Sequence, residues 1–594
     1  MRPLDKEILA GLSVDRAFGD MEFLVNTVGE RLSGTEKLRQ AAEYVHRQLR
    51  GMGLEARIDI FPVYQSYPGH AEIRVVSPET RRIAARPACH IASTLPEGLR
   101  GILVYAGVGG YDDYEGLDVR GKIVLTSMTW APPRPEKARI AEEKGAEALI
   151  IMNWGALEDP VVQMGAVKSQ WGNPTPETSH NMVQIPVLSV TRAAGEYLRT
   201  LCGQGPVELW FRAEASREWV SANQPVAVLT VKGGLDEYVL VGSHLEAWGK
   251  TAICNSSGNS LVLELARGLV KRKEQLRRGV VFAFWDGHEI AEAAGSTWFV
   301  DTNWDSLSEK CVCYVNVDNP GIVGTSVPIV TSVTELKPFL TRKVTEYWGV
   351  PAEWHDAYKG GDASFFGVGV PYVSFYTGYT QQELKRLNYA SLSPWLHSEA
   401  DTIDRIDRAL FGKHLGFFAL LVTDLCNATV LPYDVVSLAD RLCCDISQLE
   451  ELAGTRFAAG TGGLLEKARH LREDLKKLNL QREPPVEADV ARLLNRALLK
   501  VTRELSASLR SEAGRYGHDP YGYSLVGKPI PRLYGTLMRM AQLESGSEAA
   551  LLWETKLLRE RNRVADHLRH SADYVELIAG LVALREGGEK NEAY

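Results

Sequence analysis

Cysteine is scarce in this chain, with eight thiols in 594 residues. Cys89, Cys202, Cys254, Cys311, Cys313, Cys426, Cys443 and Cys444 show no regular spacing, and the last two are adjacent. That excludes a disulfide-scaffold protein and C-x-x-C zinc knuckles, and it leads us to expect reduced thiols in a cytoplasm. A basic excess is lacking as well. There are 67 Lys+Arg against 75 Asp+Glu, a net charge of −8, so nucleic acid is not an expected partner. No apolar run approaches the roughly 20 residues that span a bilayer, and no membrane partner is expected. Charges recur through the opening MRPLDKEILAGLSVDRAFGD, which is not the pattern of a secretory leader. Internal repeats are also missing. What is present is an ordinary globular composition, 45% hydrophobic and 24% charged, enough to build a large core. At roughly 150 residues per unit, the length suggests about four units.

Patterning along the chain divides it further. Residues 21–50 carry apolar positions at helical spacing, broken near Ser33-Gly34, and Leu54 to Val63 reads as a strand. Residues 64–215 are strand-rich with frequent Gly and Pro, and include a helix from Pro135 to Lys144 that feeds a strand ending at Ile151. This stretch reads as a β-rich module without acid–base or metal chemistry. From about 223 strands and helices alternate: strands at 226–231, 238–242, 280–285 and 311–317, with helices at 258–272 and 290–300. Such alternation predicts a mostly parallel sheet with helices on both faces, and function at the carboxyl ends of its strands. After Pro432, helical periodicity runs through 437–453, 464–479, 487–513 and 546–586, with Tyr516 to Pro531 as a long loop.

Polar groups stand just beyond several of these strands. They are Ser243-His244-Leu245-Glu246, Cys254-Asn255-Ser256-Ser257-Gly258, Asp286-Gly287-His288-Glu289, Asp318-Asn319-Pro320 and Leu396-His397-Ser398-Glu399. One shared site at the strand ends is the expectation. His244, Glu289, Asp318 and His397 supply two imidazoles and two carboxylates, the donor types of catalytic zinc. Glu246 is placed to orient the His244 imidazole as an outer carboxylate. Any one of these residues alone reads more readily as a cap or a buried hydrogen bonder; their joint occurrence carries the metal reading. Cys311 and Cys313 share one strand face and read as core. Tyr376, Tyr379 and Tyr389 are candidate oxyanion donors. Trp248, Trp285 and Trp395 are candidate pocket walls, with core packing an equal alternative.

These motifs together resemble the co-catalytic zinc exopeptidases, the group that includes leucyl aminopeptidase-type enzymes, glutamate carboxypeptidase II and the transferrin receptor. The resemblance extends to Arg31-Leu-Ser-Gly34 near the start and to Asp118-Val-Arg-Gly-Lys-Ile-Val-Leu125 with Gly145-Ala146, which looks like a protease-associated insert. It implies an α/β, zinc-exopeptidase-like mixed sheet flanked by helices, formed by residues 1–63 and 216–431. It further implies an insert over 64–215 and a helical dimerisation-type domain over 432–594, hence three units and a homodimer. By position, His244, Glu289, Asp318 and His397 map onto ligands of a divalent metal, zinc, with one or two ions left open. Three positions depart from the family pattern, the mildest being Glu246 in place of an aspartate two residues after His244. Cys254 stands where an aspartate bridges two zincs, and His288 stands where a glutamate is the general base. A thiolate also binds zinc, and an imidazole is a competent acid–base group near neutral pH. The resulting expectation is a metal-dependent hydrolase of a C–N amide-type bond in a small or short peptide-like substrate, with His288 as acid–base. The alternatives are a non-catalytic scaffold on the same fold and a cyclase or lyase.

Overall fold

The computed structural model describes residues 2–480, 486–521 and 527–592. Among them, two eight-stranded mixed sheets form separate layers. The first runs in the order Glu55–Gln65, Glu218–Leu229, Gly279–Trp285, Tyr238–His244, Cys311–Asn316, Tyr372–Gly378, Val327–Ser332 and Glu353–Asp356. Its four central strands, from Gly279–Trp285 to Tyr372–Gly378, are parallel to one another and buried on both faces, which is why Val280 to Trp285 reads as an unbroken apolar run. Strand Tyr238–His244 lies between two of them, with His244 opposite Trp285 and Gly242 opposite Asn316. A Cβ at Gly242 would stand 2.4 Å from the Trp285 indole nitrogen, so glycine lets the strands close around that ring.

The second sheet is built from strands between Pro68 and Ala215, with Ile123–Ser127, Ala148–Met152 and Val187–Val190 pairing in parallel at its core. The helix preceding Ala148–Met152 spans Arg134–Glu143. Beyond residue 432, helices Val435–Ala453, Leu464–Leu480, Ala488–Arg510, Pro531–Ala541 and Glu548–Glu592 pack side by side. Residues 522–526 of the expected Tyr516–Pro531 loop lie outside the described residues.

Three sequence expectations change. Helices Pro3–Gly11 and Val14–Glu22 precede the first expected helix. The expected helix at 290–300 begins only at Ala294, because Gly287, Glu292 and Ala293 take positive φ and hold 286–293 as an irregular loop. The third concerns apolar runs. Helix Arg408–Asn427 is 20 residues long and, by length and composition, apolar enough to cross a membrane. It packs on Ser257–Val270 with 67% of its apolar window buried, so its composition is accounted for by the core.

Glu504 ties the tail together. Its carboxylate faces His567 Nδ1 of the last helix at 3.1 Å and Arg515 at 3.2 Å. The hydrogen bond with His567 holds it down at about 2, against a burial that pushes it up. A depressed carboxyl contributes stability above its ordinary value near 4.5 and loses it as pH falls toward 2. Glu504→Gln is therefore expected to lower the unfolding free energy by about 1 kcal/mol at pH 7, a figure kept small by solvent screening. The deficit should shrink below pH 4.5 in urea titrations.

Candidate active site

Two buried carboxylates shape the loops at the strand ends. Asp401 accepts the backbone N–H groups of Ala252, Ile253 and Cys254 at 3.1, 2.7 and 3.2 Å. Burial pushes its carboxyl up to about 7 in spite of those donors. This fixes the irregular turn that presents Cys254 ahead of helix Ser257–Val270. Asn255 then donates to Ser243 Oγ and to the Val317 carbonyl, both at 3.0 Å, and so joins two strand ends.

The second carboxylate is Glu246, and its place differs from the expectation. The His244 ring meets the Glu246 backbone carbonyl, 2.9 Å from Nδ1, and does not meet its carboxylate. The carboxylate accepts from Ser33 N–H, Ser33 Oγ and Gln65 on one oxygen. Its other oxygen accepts from the N–H groups of Glu289 and Ile290 at 2.8 and 3.4 Å. It thus holds the loop that carries His288 and Glu289, because these orphan N–H groups attract the carboxylate more strongly than an imidazole already satisfied by a carbonyl. Glu246→Ala strands several buried donors at once. Removing it is expected to cost about 2–4 kcal/mol, read as a lower urea midpoint at unchanged m-value.

The strand ends bring the other candidates into one cluster. Cys254 Sγ lies 3.4 Å from His244 Nε2, 3.2 Å from Glu289 Oε1 and 3.6 Å from His397 Nε2. His244 Nε2 is 3.5 Å from Asp318 Oδ1, and His397 Nε2 is 3.1 Å from Glu289 Oε2. Trp248 donates to that same Glu289 oxygen at 3.1 Å. His288 stacks on His244, with ring centroids 4.0 Å apart and planes 13° from parallel, while its Nδ1 lies 2.9 Å from Asp362 Oδ2. Burial opposes protonation of His288, yet Asp362 beside it raises the imidazole to about 10. Glu289 is shifted the other way: burial would raise its carboxyl, but His397 holds it well below the usual carboxylate range. Cys254 is pushed up by burial and by the carboxylates of Glu289 and Asp318.

This donor set fits a metal ion. Asp318 Oδ1 is buried without a hydrogen-bond partner among the described residues. His244 directs Nε2 inward while Nδ1 is tied to a carbonyl, the usual arrangement of a metal-binding histidine. The 3.4 and 3.5 Å separations match donors around a tetrahedral zinc, which with bonds of about 2.0–2.3 Å lie ~3.3–3.7 Å apart. His244, Cys254 and Glu289 form one group with donors within 4.8 Å of each other, and His244, His288 and Asp318 form another.

The cluster opens into a cavity of about 400 Å³. Its floor includes Cys254, His288, Glu289, Asp318 and His397, and Tyr376 lies on its wall. The other two tyrosine candidates fall elsewhere: Tyr379 is buried with its hydroxyl near the Val323 carbonyl, and Tyr389 is exposed. Trp285 is core, bonded to the Tyr314 hydroxyl, and Trp395 stacks under Arg405. The aromatic walls come instead from Trp130 and Trp171 of the 64–215 stretch and from Tyr521 beyond 432. Arg134 lines the cavity too, so the β-rich stretch read as chemically silent contributes charge and aromatic surface to the site. Nothing in local spacing marks these residues, because only the tertiary fold brings them there. Gly360 and Gly361 also line the cavity, while Asp362 backs His288.

Comparison with known proteins finds two matched regions. Residues 226–422 match Peptidase family M28, and residues 99–198 match the PA domain. These two matches support a co-catalytic zinc exopeptidase-like superfamily with a PA insert. It is 25% identical to Probable glutamate carboxypeptidase VP8 of Zea mays, over 91% of this chain and 87% of that one. It is 27% identical to Aminopeptidase YwaD of Bacillus subtilis, over 66% and 80%. Among solved structures, a Peptidase M28 precursor from Shewanella amazonensis superposes with a TM-score of 0.58 at 19% identity, covering 72% of this chain and 97% of that one. The zinc aminopeptidase BSAP from Bacillus subtilis gives 0.54 at 22%, covering 70% and 96%. The chain is a metallopeptidase-like hydrolase, and metal-dependent peptide-bond hydrolysis is the chemistry its relatives support.

Proposed function

We propose that the chain hydrolyses a C–N amide-type bond in a small or short peptide-like substrate, with zinc as the bound ion and His288 as the acid–base group. The observation that carries this reading is the 400 Å³ cavity, walled by three regions of the chain and floored by the donor cluster. That volume suits a compact ligand better than a long peptide. A bound divalent ion supplies a Lewis acid for the carbonyl and a nucleophile at neutral pH. The chain's own groups do the rest. His288, with Asp362 2.9 Å from its Nδ1, takes a proton from the attacking water as its oxygen bonds to the carbonyl carbon and passes it to the leaving nitrogen as the C–N bond breaks. Tyr376 stands on the cavity wall as a donor for the carbonyl oxygen. Trp130 and Trp171 flank a flat or aromatic substituent.

The test incubates zinc-loaded protein with dipeptides, aminoacyl amides and cyclic imides, and reads products by mass spectrometry. Hydrolysis adds one water to the summed products, and His288→Ala should suppress it. A product without that added water would point to cyclase or lyase chemistry. Saturable binding with no turnover of any substrate would favour the scaffold reading.

The same reading includes a cytoplasmic homodimer. Eight unpaired thiols are in keeping with a reducing compartment. Leu577, Leu581 and Leu584 form an exposed stripe on helix Glu548–Glu592, the face that would meet a second copy. Leu577→Lys with Leu581→Lys should convert a sedimenting dimer into a monomer; a wild-type monomer would remove the dimer from the proposal.

A further inference from the structure

One carboxylate of the cavity has no partner on the chain. Glu292 lines the chamber and is only 7% exposed. Among the described residues its side chain has no hydrogen-bond or ion-pair partner, and neither oxygen is sealed away from the chamber. The two other acids of the lining, Glu289 and Asp318, each belong to a group of metal donors; Glu292 belongs to neither. The basic groups nearby are taken. Arg134 donates to Gln163 Oε1 at 3.0 Å and faces His397 Nδ1 at 3.4 Å. Lys168 Nζ donates to the carbonyls of Gly172 and Ala291. Lys359 Nζ lies 3.9 Å from Asp519 and 4.9 Å over the Trp171 ring.

The backbone is held in place to present this side chain. Glu292 and Ala293 take φ of 47° and 60°, a left-handed conformation uncommon outside glycine. Such a turn persists where its surroundings fix it. Here the Gly172 N–H donates to the Glu292 carbonyl at 2.7 Å, and Lys168 Nζ donates to the Ala291 carbonyl at 2.6 Å. Burial pushes the Glu292 carboxyl well above its usual range, with Arg134 and Lys168 opposing from a distance. A buried acid without a partner is costly, and a ligand that brings a cation removes the cost. Aromatic rings stand next to it. Burial and the Glu292 carboxylate both push the Tyr521 hydroxyl up. The Tyr521 ring lies 5.1 Å from that of Trp171, whose indole is fixed on Ser364 Oγ at 2.7 Å. A carboxylate beside aromatic faces is the chemistry that recognises an ammonium group.

We infer that Glu292 is a specificity residue, which accepts a protonated amine carried by the substrate away from the bond that is cleaved. Its place outside both groups of donors puts the recognised nitrogen off the reacting carbonyl. Trp171 and Tyr521 shield the ion pair from water, where it gains strength. This inference rests on the hydrolase reading of the same cavity and narrows its substrate to an amine-bearing one. A side-chain amine and the substrate's own α-amine share that chemistry, and the test separates them.

The test uses matched pairs. Zinc-loaded full chain is given lysyl-alanine and norleucyl-alanine, and alanyl-lysine and alanyl-norleucine, each with and without an N-acetyl group, and kcat/KM is read for all. Lysine and norleucine are alike in shape and differ in the ammonium. The wild type should favour lysine in one of the pairs by about 10-fold or more, and Glu292→Gln should reduce that ratio below about 3-fold. Glu292→Asp, which keeps the charge on a shorter stem, should fall between them. If the recognised group is the α-amine, lysine and norleucine run alike, and acetylation costs the wild type about 10-fold but the Glu292→Gln protein almost nothing. Turnover indifferent to both amines, or a preference that Glu292→Gln retains, would overturn the inference and leave the hydrolase reading standing. If no dipeptide is cleaved, calorimetry with lysinamide and norleucinamide decides. Tighter binding of lysinamide, lost in Glu292→Gln, would sustain Glu292 while sinking the hydrolase reading; equal binding would sink both.

Discussion

Asp318→Ala is expected to reduce metal affinity by at least about 100-fold, exceeding what loss of an outer partner typically costs, and to remove detectable hydrolysis with it. The reason is local. Asp318 Oδ1 is buried, has no hydrogen-bond partner among the described residues, and stands 3.5 Å from His244 Nε2. Nothing else in the cluster satisfies that oxygen, so its cost in the metal-free chain is offset only by a cation. The substitution should accordingly cost little folding stability without metal and abolish the stabilisation that zinc gives the wild type. Thermal denaturation with and without zinc, alongside ion counting, measures both. A variant that kept wild-type affinity would show that Asp318 is no ligand.

The second large effect concerns the pair behind the cavity floor. His288→Ala should lower kcat by about 10²–10⁴, the range for loss of a positioned acid–base group, with a much smaller change in KM. Asp362→Asn keeps the shape but removes the charge that lifts His288 to about 10. The imidazole then falls toward its ordinary value, so the basic limb of the kcat profile should move to lower pH. A merely structural Asp362 would change kcat without moving that limb. If His288→Ala hydrolysed substrate at the wild-type rate, the proton role would belong to another group in the cavity.

The regular part of this architecture is legible in the sequence because its signals are local. Val280 to Trp285 is apolar at every position, and the polar groups after His244, Trp285 and Asn316 follow strands directly, so both the parallel sheet and the gathering of its carboxyl-end residues follow from pattern. Two kinds of information were hidden. The 286–293 loop carries residues compatible with a helix, and distant groups hold it irregular: the Glu246 carboxylate, more than forty residues earlier in the chain, on the N–H groups of Glu289 and Ile290, and Lys168 on the Ala291 carbonyl. The cavity walls are the other kind. Trp130, Arg134 and Trp171 occur in a segment whose composition announces only strands and turns, and Tyr521 follows a helical tail; their meeting is a property of tertiary packing. Even Glu246 illustrates the limit. Spacing correctly put it beside His244, but spacing cannot tell a carboxylate from the carbonyl of the same residue.

The widely separated origins of the cavity wall bear on how the chain acquires its function. Trp130 donates to Ser391 Oγ, Arg134 reaches His397, and the Tyr521 N–H donates to the Ser169 carbonyl. Each contact joins residues more than 250 positions apart. On a ribosome, the donor cluster could gather once the segment ending near Asp401 had emerged, yet the chamber above it would still lack a wall until Tyr521 followed. Enclosure of the site is thus coupled to near-complete synthesis, and a nascent chain with all its metal-binding side chains in place would still present them to open solvent.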